Sequence, residues 1–304
     1  MKRLIRQFEN KVGFTIVELL TVMSIIVILI GLLVPALNMA KRYAKDVKQR
    51  AQFHGISVAL ELFSSEFEGY PDSNEMDEAV QPYPGALRLC EAMVGQDLLG
   101  FHQDSRFRAD CTDGTNRLYD NPPGFLSPIP LDNLQARIGP YLQLERANAY
   151  RLEDIYGAAA TGDLAKLFVL CDEYARVKNK STGRRIGMPV LYYKANTAGT
   201  RNPTEENVYA ADHPQNIYDY KDNDDLVDIG IPWMTGQEHP MDVDQPDNIH
   251  NDGLGVRETF YFRIHNERIT ITEGRPYRSD SYILISAGFD GQYGTRDDIF
   301  NFEP

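Results

Sequence analysis

The chain has 304 residues, with 31 Lys and Arg against 44 Asp and Glu, and a formal charge of −13. That balance excludes an extended nucleic-acid surface, because phosphate binding needs clustered Lys and Arg and such clustering occurs only at the extreme N-terminus. Three widely spaced cysteines, Cys90, Cys111 and Cys171, form no CxxC pair, which excludes zinc-knuckle and thioredoxin-like sites; one disulfide, most simply Cys90 with Cys111, and three unpaired thiols both stay open.

Residues 19–37 are almost uninterruptedly apolar. A helix rising about 1.5 Å per residue would there about span a hydrocarbon core of about 30 Å, so the segment reads as a membrane helix. Lys2, Arg3, Arg6 and Lys11 precede it against one Glu9, which places the N-terminus in the cytoplasm and sends the remainder outward. An ordinary secretory signal would carry its small-residue cleavage site after the apolar run, whereas here Gly13 precedes it.

Glu18 stands in the first turn of this run, where a carboxylate costs about 2.5–3.5 kcal/mol at the centre of a membrane helix and so normally marks a partner. No Lys or Arg lies within the run. A cut between Gly13 and Phe14 would create an α-amino group on Phe14, four residues before Glu18, and between two staggered parallel helices that pair would set the offset. Cleavage would then switch on assembly.

The basic leader ending in Gly13, the run Phe14-Thr15-Ile16-Val17-Glu18-Leu19-Leu20 and the apolar stretch through Pro35 resemble the class III signal of type IV pilins and of the pseudopilins of type II secretion systems. The resemblance implies that a prepilin peptidase cuts after Gly13 and methylates Phe14, and that Glu18 directs subunit addition. The competing reading is an uncleaved signal anchor that happens to contain a glutamate. Pro35 removes its own N–H and crowds the carbonyl of Gly31, so Gly31 and Pro35 together form an expected point of bending or local melting. In the resembling family a proline near this place marks where the helix loosens as subunits pack. A proline merely tolerated near the end of a membrane helix is the alternative.

From 38 to 68 the composition turns charged and amphipathic, with Val47, Ala51, Ile56, Leu60, Phe63 and Phe67 at helical spacings. The spacing predicts that the helix continues as a stem whose apolar side packs under a globular head, ending at "EGYP". This stop also looks like the pseudopilin turn after the stem. The middle, 71–187, is long by the standards of that family, and the resemblance says nothing about its role. Within it a helix is expected over 163–178, with Leu164, Leu167, Phe168, Leu170, Cys171 and Tyr174 on an apolar face.

Strands are expected in "MPVLYYKA" from Met188, "ETFYFRI" from Glu258, "RITITE" from Arg268 and "SYILISAG" from Ser281, the second and third joined by a turn at His265-Asn266-Glu267. An antiparallel sheet packed on the stem follows. The expected fold class is therefore α+β, and the resemblance implies that it is type IV pilin-like: a leader (1–13), a transmembrane helix (14–37), an amphipathic stem (38–70), an inserted region (71–187) and a β-sheet head (188–304).

The last signal is "SAGFDGQYGTRDDIFNF". Asp290, Thr295, Asp297 and Asp298 offer hard oxygens within one short loop, and Gly288, Gly291 and Gly294 let the backbone turn. Calcium suits such a set better than magnesium or zinc, although the spacing fails the EF-hand pattern and a solvated acidic turn stays open. The stretch also resembles the S-x-G-x-D-G…G-T-x-D-D-I ending of major type II pseudopilins, which implies a structural calcium held by Asp290, Thr295, Asp297 and Asp298 with backbone carbonyls completing the shell.

Acidic runs beginning at Asp219 and Asp242 offer second cation sites or simply solvated loops, and Trp233 and the six histidines read as packing and surface residues. No GxSxG, HExxH, P-loop or dinucleotide fingerprint appears, so no catalytic residues are assigned and a membrane-anchored enzyme ranks last. The resemblance implies a single-pass inner-membrane protein with a periplasmic head. Its partners would be prepilin peptidase, further copies of itself, other pseudopilins and the inner-membrane platform of a secretion system, in a periplasmic filament. A true type IV pilus subunit is the alternative; many of those close the head with a C-terminal disulfide, and this C-terminus has no cysteine.

Overall fold

A computed structural model describes residues 15–120, 129–179, 182–202, 214–234, 236–241, 256–269 and 275–303. The cleavage pair Gly13 and Phe14, most of the "RITITE" segment and the acidic run from Asp242 lie outside them. The chain forms two compact units, Met1–Ala44 and Lys45–Pro304.

Helix α1 (Ile16–Phe67) begins directly after Thr15 and runs unbroken through Pro35. Its N-terminal part is long and apolar enough to cross a membrane, with none of the apolar window buried in protein. Further along, the face that meets the head is Gln49, Gln52, Phe53, Ile56, Ala59, Leu60 and Phe63. Ile56, Leu60 and Phe63 thus take the expected inward place, but Val47 and Ala51 do not. They are exposed, with Val58 and Leu62, because at about 100° per residue they fall nearly opposite Phe53 and Ile56. The helix stops where Glu68 takes a positive φ of 59°. Tyr70 then folds back, donating its hydroxyl to Glu61 Oε1 at 2.8 Å and standing edge-on to the Tyr282 ring at 4.8 Å.

The inserted region forms part of the core. Helix α2 (Gly85–Val94), with Pro84 at its N-cap and Gly95 at its C-cap, is buried along all ten residues. Leu89, Cys90, Ala92, Met93 and Val94 join Phe53, Ile56, Leu60 and Phe63 of the stem, while Ala86 and Leu87 join a second cluster with Leu191, Ile283 and Ile285. Gly85 is required there, since a Cβ would lie 2.2 Å from Tyr192 O. The three cysteines are buried and form no disulfide with one another; Cys90 sits in the stem-side cluster and Cys111 and Cys171 in the other, so the expected Cys90–Cys111 bridge is absent.

The central sheet is three-stranded and antiparallel. With strands numbered along the whole chain, β1 (Phe101–His102) pairs with β2 (Arg137–Ile138), β3 (Ala149–Arg151) with β4 (Phe168–Leu170), and β5 (Val177–Lys178) with β6 (Arg185–Ile186). The sheet itself is β7 (Leu191–Lys194), β8 (Tyr282–Ser286) and β9 (Ile299–Phe300), with Tyr192 opposite Leu284 and Ile285 opposite Phe300. The strands at "LYYK" and "YILIS" are those the sequence predicts, and the layout is α+β.

Two expected elements are replaced. The helix over 163–178 is instead a 3-10 turn (Leu164–Lys166) followed by β4 and β5. Burial there alternates with period two, Ala165, Leu167, Val169 and Cys171 facing in, and Ala175 has a φ of 52° that no helix accommodates. The "ETFYFRI" strand is a helix (Val256–Ile264): Phe260, Tyr261 and Ile264 are buried and Phe262 is half exposed, a spacing of one and four rather than two.

Candidate functional site

Glu18 lies in the first turn of α1, exposed. Its Oε2 accepts the Thr15 N–H at 2.8 Å and the Thr15 hydroxyl at 2.7 Å, while the Glu18 N–H donates to Thr15 Oγ1 at 3.3 Å. This reciprocal arrangement is a capping box, in which Thr-x-x-Glu satisfies two of the N–H groups that a helix start leaves without partners. The T-x-x-E spacing is legible in the sequence and supplies Glu18 with a local role. Its Oε1 has no partner among the described residues, so one oxygen stays available. Around Gly31 nothing approaches within 4 Å of a notional Cβ.

The second site is the loop between β8 and β9. Gly288 (φ 62°) packs against the far side of the loop, where a Cβ would lie 2.0 Å from Asp297 O. Asp297 accepts the Asp290 N–H at Oδ2 (2.9 Å) and the Thr295 hydroxyl at Oδ1 (2.7 Å). Asp290 Oδ1 accepts the Gln292 N–H at 2.8 Å, and Asp298 Oδ2 the Gly294 N–H at 2.8 Å. The loop therefore brings all four expected ligands together in one hydrogen-bonded turn.

Electrostatically the three carboxyl groups of this turn crowd one another, and the Arg263 charge draws Asp298 only part of the way back. Burial, and then the neighbouring Asp297, push the Asp290 carboxyl above its usual range. Burial also works against charge on Asp297, but the Thr295 hydroxyl and the Asp290 N–H outweigh it and hold Asp297 below that range. Asp298 is half-buried, its carboxyl is pushed well above the carboxylate range by desolvation, and its buried Oδ1 has no hydrogen-bond partner among the described residues. An orphaned buried carboxylate oxygen beside two neighbouring carboxylates is the chemistry a hard cation relieves. The side chains as they stand do not converge on one point: among the described residues no group of three or more His, Cys, Asp or Glu is arranged to hold a metal ion.

Asp172 is a site residue that the sequence does not announce. Fully buried, it accepts the Tyr174 and Met188 N–H groups at Oδ1 (3.1 and 3.2 Å) and the Ser286 hydroxyl at Oδ2 (3.1 Å), and Ser286 Oγ in turn accepts the Gly288 N–H at 3.3 Å. Burial pushes its carboxyl up to about 7. The corner that carries it docks on the stem: Gln52 donates to Cys171 O at 2.8 Å, Gln49 Oε1 accepts the Glu173 N–H at 2.8 Å and the Tyr174 hydroxyl donates to Asp46 at 2.6 Å. The start of the C-terminal loop is thus tied through Ser286 and Asp172 to the stem helix.

The chain matches no family model, and neither the curated proteins nor the solved structures contain a match to it.

Proposed function

We propose that the chain is a pilin-type structural subunit, cut between Gly13 and Phe14 by a prepilin peptidase. In this reading residues 14–37 hold it in the inner membrane with the head in the periplasm, and it stacks with itself and other pseudopilins into a filament serving type II secretion. The observation that carries the reading is the exposed carboxylate of Glu18, heading a span with no further charge until Lys41, four residues from the amine that cutting would create. The exposed stripe Val47, Ala51, Val58 and Leu62 supports it, since a stem that packed only on its own head would gain nothing from being apolar on both sides. The fold is then a pilin head whose enlarged inserted region has become core.

Asp290, Thr295, Asp297 and Asp298 would hold a structural calcium in the C-terminal loop. When bound, the ion would supply positive charge to these crowded, half-buried carboxylates. The residues themselves orient the loop: Thr295 fixes Asp297, and the Gly294 N–H fixes Asp298.

The test is the mass and N-terminal sequence of the protein recovered from native membranes. A chain beginning at N-methylated Phe14 supports the reading, and one that keeps Met1 to Gly13 overturns it. The capping box favours a second reading, an uncleaved signal anchor in which Glu18 serves only its own helix, and that reading gains from the latter result.

A further inference from the structure

The C-terminal loop does not stand alone. The segment around 231–241, distant in sequence, is its platform. Met241 N–H donates to Tyr293 O at 3.1 Å, and Tyr293 N–H donates to His239 Nδ1 at 3.3 Å with the two rings 4.8 Å apart. Gly294 (φ 88°) presses on the same segment, where a Cβ would lie 2.9 Å from Met241 N.

The tightest contact is at Gly291. A Cβ there would lie 2.5 Å from Trp233 Cη2 and 2.9 Å from Arg176 Cγ, and φ is 75°. An indole ring and an arginine stem therefore close over the backbone next to Asp290. The Arg176 guanidinium in turn lies over the Trp233 ring, 5.3 Å from its centroid. Trp233 Nε1 has no acceptor among the described residues, so contact and stacking alone keep the ring in place.

We infer that Trp233 is a positioning residue for the cation loop: clamped by Arg176, its indole holds the turn at Gly291 that sets Asp290 beside Asp297. This rests on the calcium reading given above. The physical reason is preorganisation. A loop whose backbone is already held in its turn loses less freedom on binding, so that only the carboxylate side chains have to reorient to reach a cation. Removing a group that orients a metal ligand from behind typically weakens metal affinity about 10- to 100-fold.

Trp233 is the single tryptophan of the chain, so its emission reports this loop and nothing else. The full chain in detergent micelles is titrated with calcium, and separately with terbium, whose luminescence a nearby indole sensitises. Calorimetric titration gives the affinity of variants that lack the indole. The expected results are a calcium-dependent change in Trp233 emission, sensitised terbium emission, calcium affinity about 10- to 100-fold weaker in Trp233→Ala, and near-complete rescue in Trp233→Phe. Should Trp233→Ala fail to fold, Arg176→Gln decides, because it alters an exposed side chain and unclamps the ring; affinity should fall several-fold with a shifted emission maximum. Wild-type affinity in folded Trp233→Ala, or in Arg176→Gln where it must decide, overturns the positioning role and leaves the calcium site standing. A wild-type chain that binds neither calcium nor terbium overturns the calcium reading, and this inference with it.

Discussion

Asp298→Asn separates the charge of the C-terminal loop from its shape. The half-buried carboxyl is pushed above its ordinary range, so the folded chain holds a proton that the unfolded chain has released above about pH 4. Its contribution to stability is therefore full below about pH 4 and is lost as pH rises through the folded value. A bound cation would offset that loss. With a dissociation constant of about 10⁻⁴ M, about 1 mM calcium stabilises by about 1.4 kcal/mol, or about 3–6 °C in a domain of this size. Asparagine keeps an acceptor for the Gly294 N–H, which now meets Oδ2 at 2.8 Å, and sheds the charge. Scanning calorimetry of the full chain in micelles near pH 7.5, with calcium or with chelator, should give a wild-type melting point that calcium raises by that amount. The variant should melt in chelator at or above the wild-type value and respond little to calcium. A full calcium shift in Asp298→Asn would refute the assignment of Asp298 as a ligand; a variant several degrees less stable in chelator would refute the view that its charge is uncompensated.

Asp172, raised by burial from 3.8 to about 7, stabilises fully below about pH 4 and loses that contribution as pH rises through about 7. The shift corresponds to roughly 4 kcal/mol, so Asp172→Asn should flatten the decline in denaturant midpoint across that window, and an unchanged slope would remove Asp172 from the account. Leu62→Glu alters an exposed position and should change stability by no more than about 0.5 kcal/mol. It should nevertheless abolish cross-linking between copies in native membranes if the outer stripe meets a second stem, and unchanged cross-linking would count against that. Thr15→Val removes the hydroxyl half of the capping box and keeps the carboxylate with its bond from the Thr15 N–H, whereas Glu18→Gln removes the charge. If Glu18 pairs with another subunit, only Glu18→Gln should block incorporation into filaments, while equal effects would make Glu18 a cap alone.

What the sequence makes legible here are features of local period. The apolar span, the stop at 68–71 and the strands around Leu191 and Tyr282 all follow from runs long or β-rich enough to leave one solution. Helix α2 is signalled by Pro84 before it and Gly95 after it, but its ten residues carry Arg88 and Glu91 among the apolar ones and follow the Pro- and Gly-rich "QPYPGAL", which masks the helical pattern. The segment 163–178 has apolar residues so dense that helix and strand spacings both fit, and pairing of β4 with β3 decides between them. In the helix Val256–Ile264 tertiary burial of Phe260, Tyr261 and Ile264 outweighs β propensity. The carboxylates of the C-terminal loop are legible because they are close together in sequence. Asp172, His239 and Trp233 are not, since each reaches the loop from more than 50 residues away; Asp172 bonds Ser286 across 114 positions and His239 bonds Tyr293 across 54.

The energetics of Glu18 bear on the choice between cap and partner. A capping interaction is worth about 1 kcal/mol, whereas a carboxylate at the centre of a membrane helix costs about 2.5–3.5 kcal/mol. The cap therefore accounts for Glu18 only if the helix start stays near the headgroups, where the cost is smaller. A retained leader would keep it there, because Lys11 lies seven residues before Glu18 and favours the interface. Were the leader removed, that anchor would be gone, and the charge nearest Glu18 in the chain would be the new amine of Phe14. The cap does not compete with it for both oxygens: Thr15 occupies Oε2 and leaves Oε1 without a partner among the described residues. The same local bond that starts the helix thus holds the carboxylate in one orientation, with its second oxygen open to an ammonium group from outside the helix.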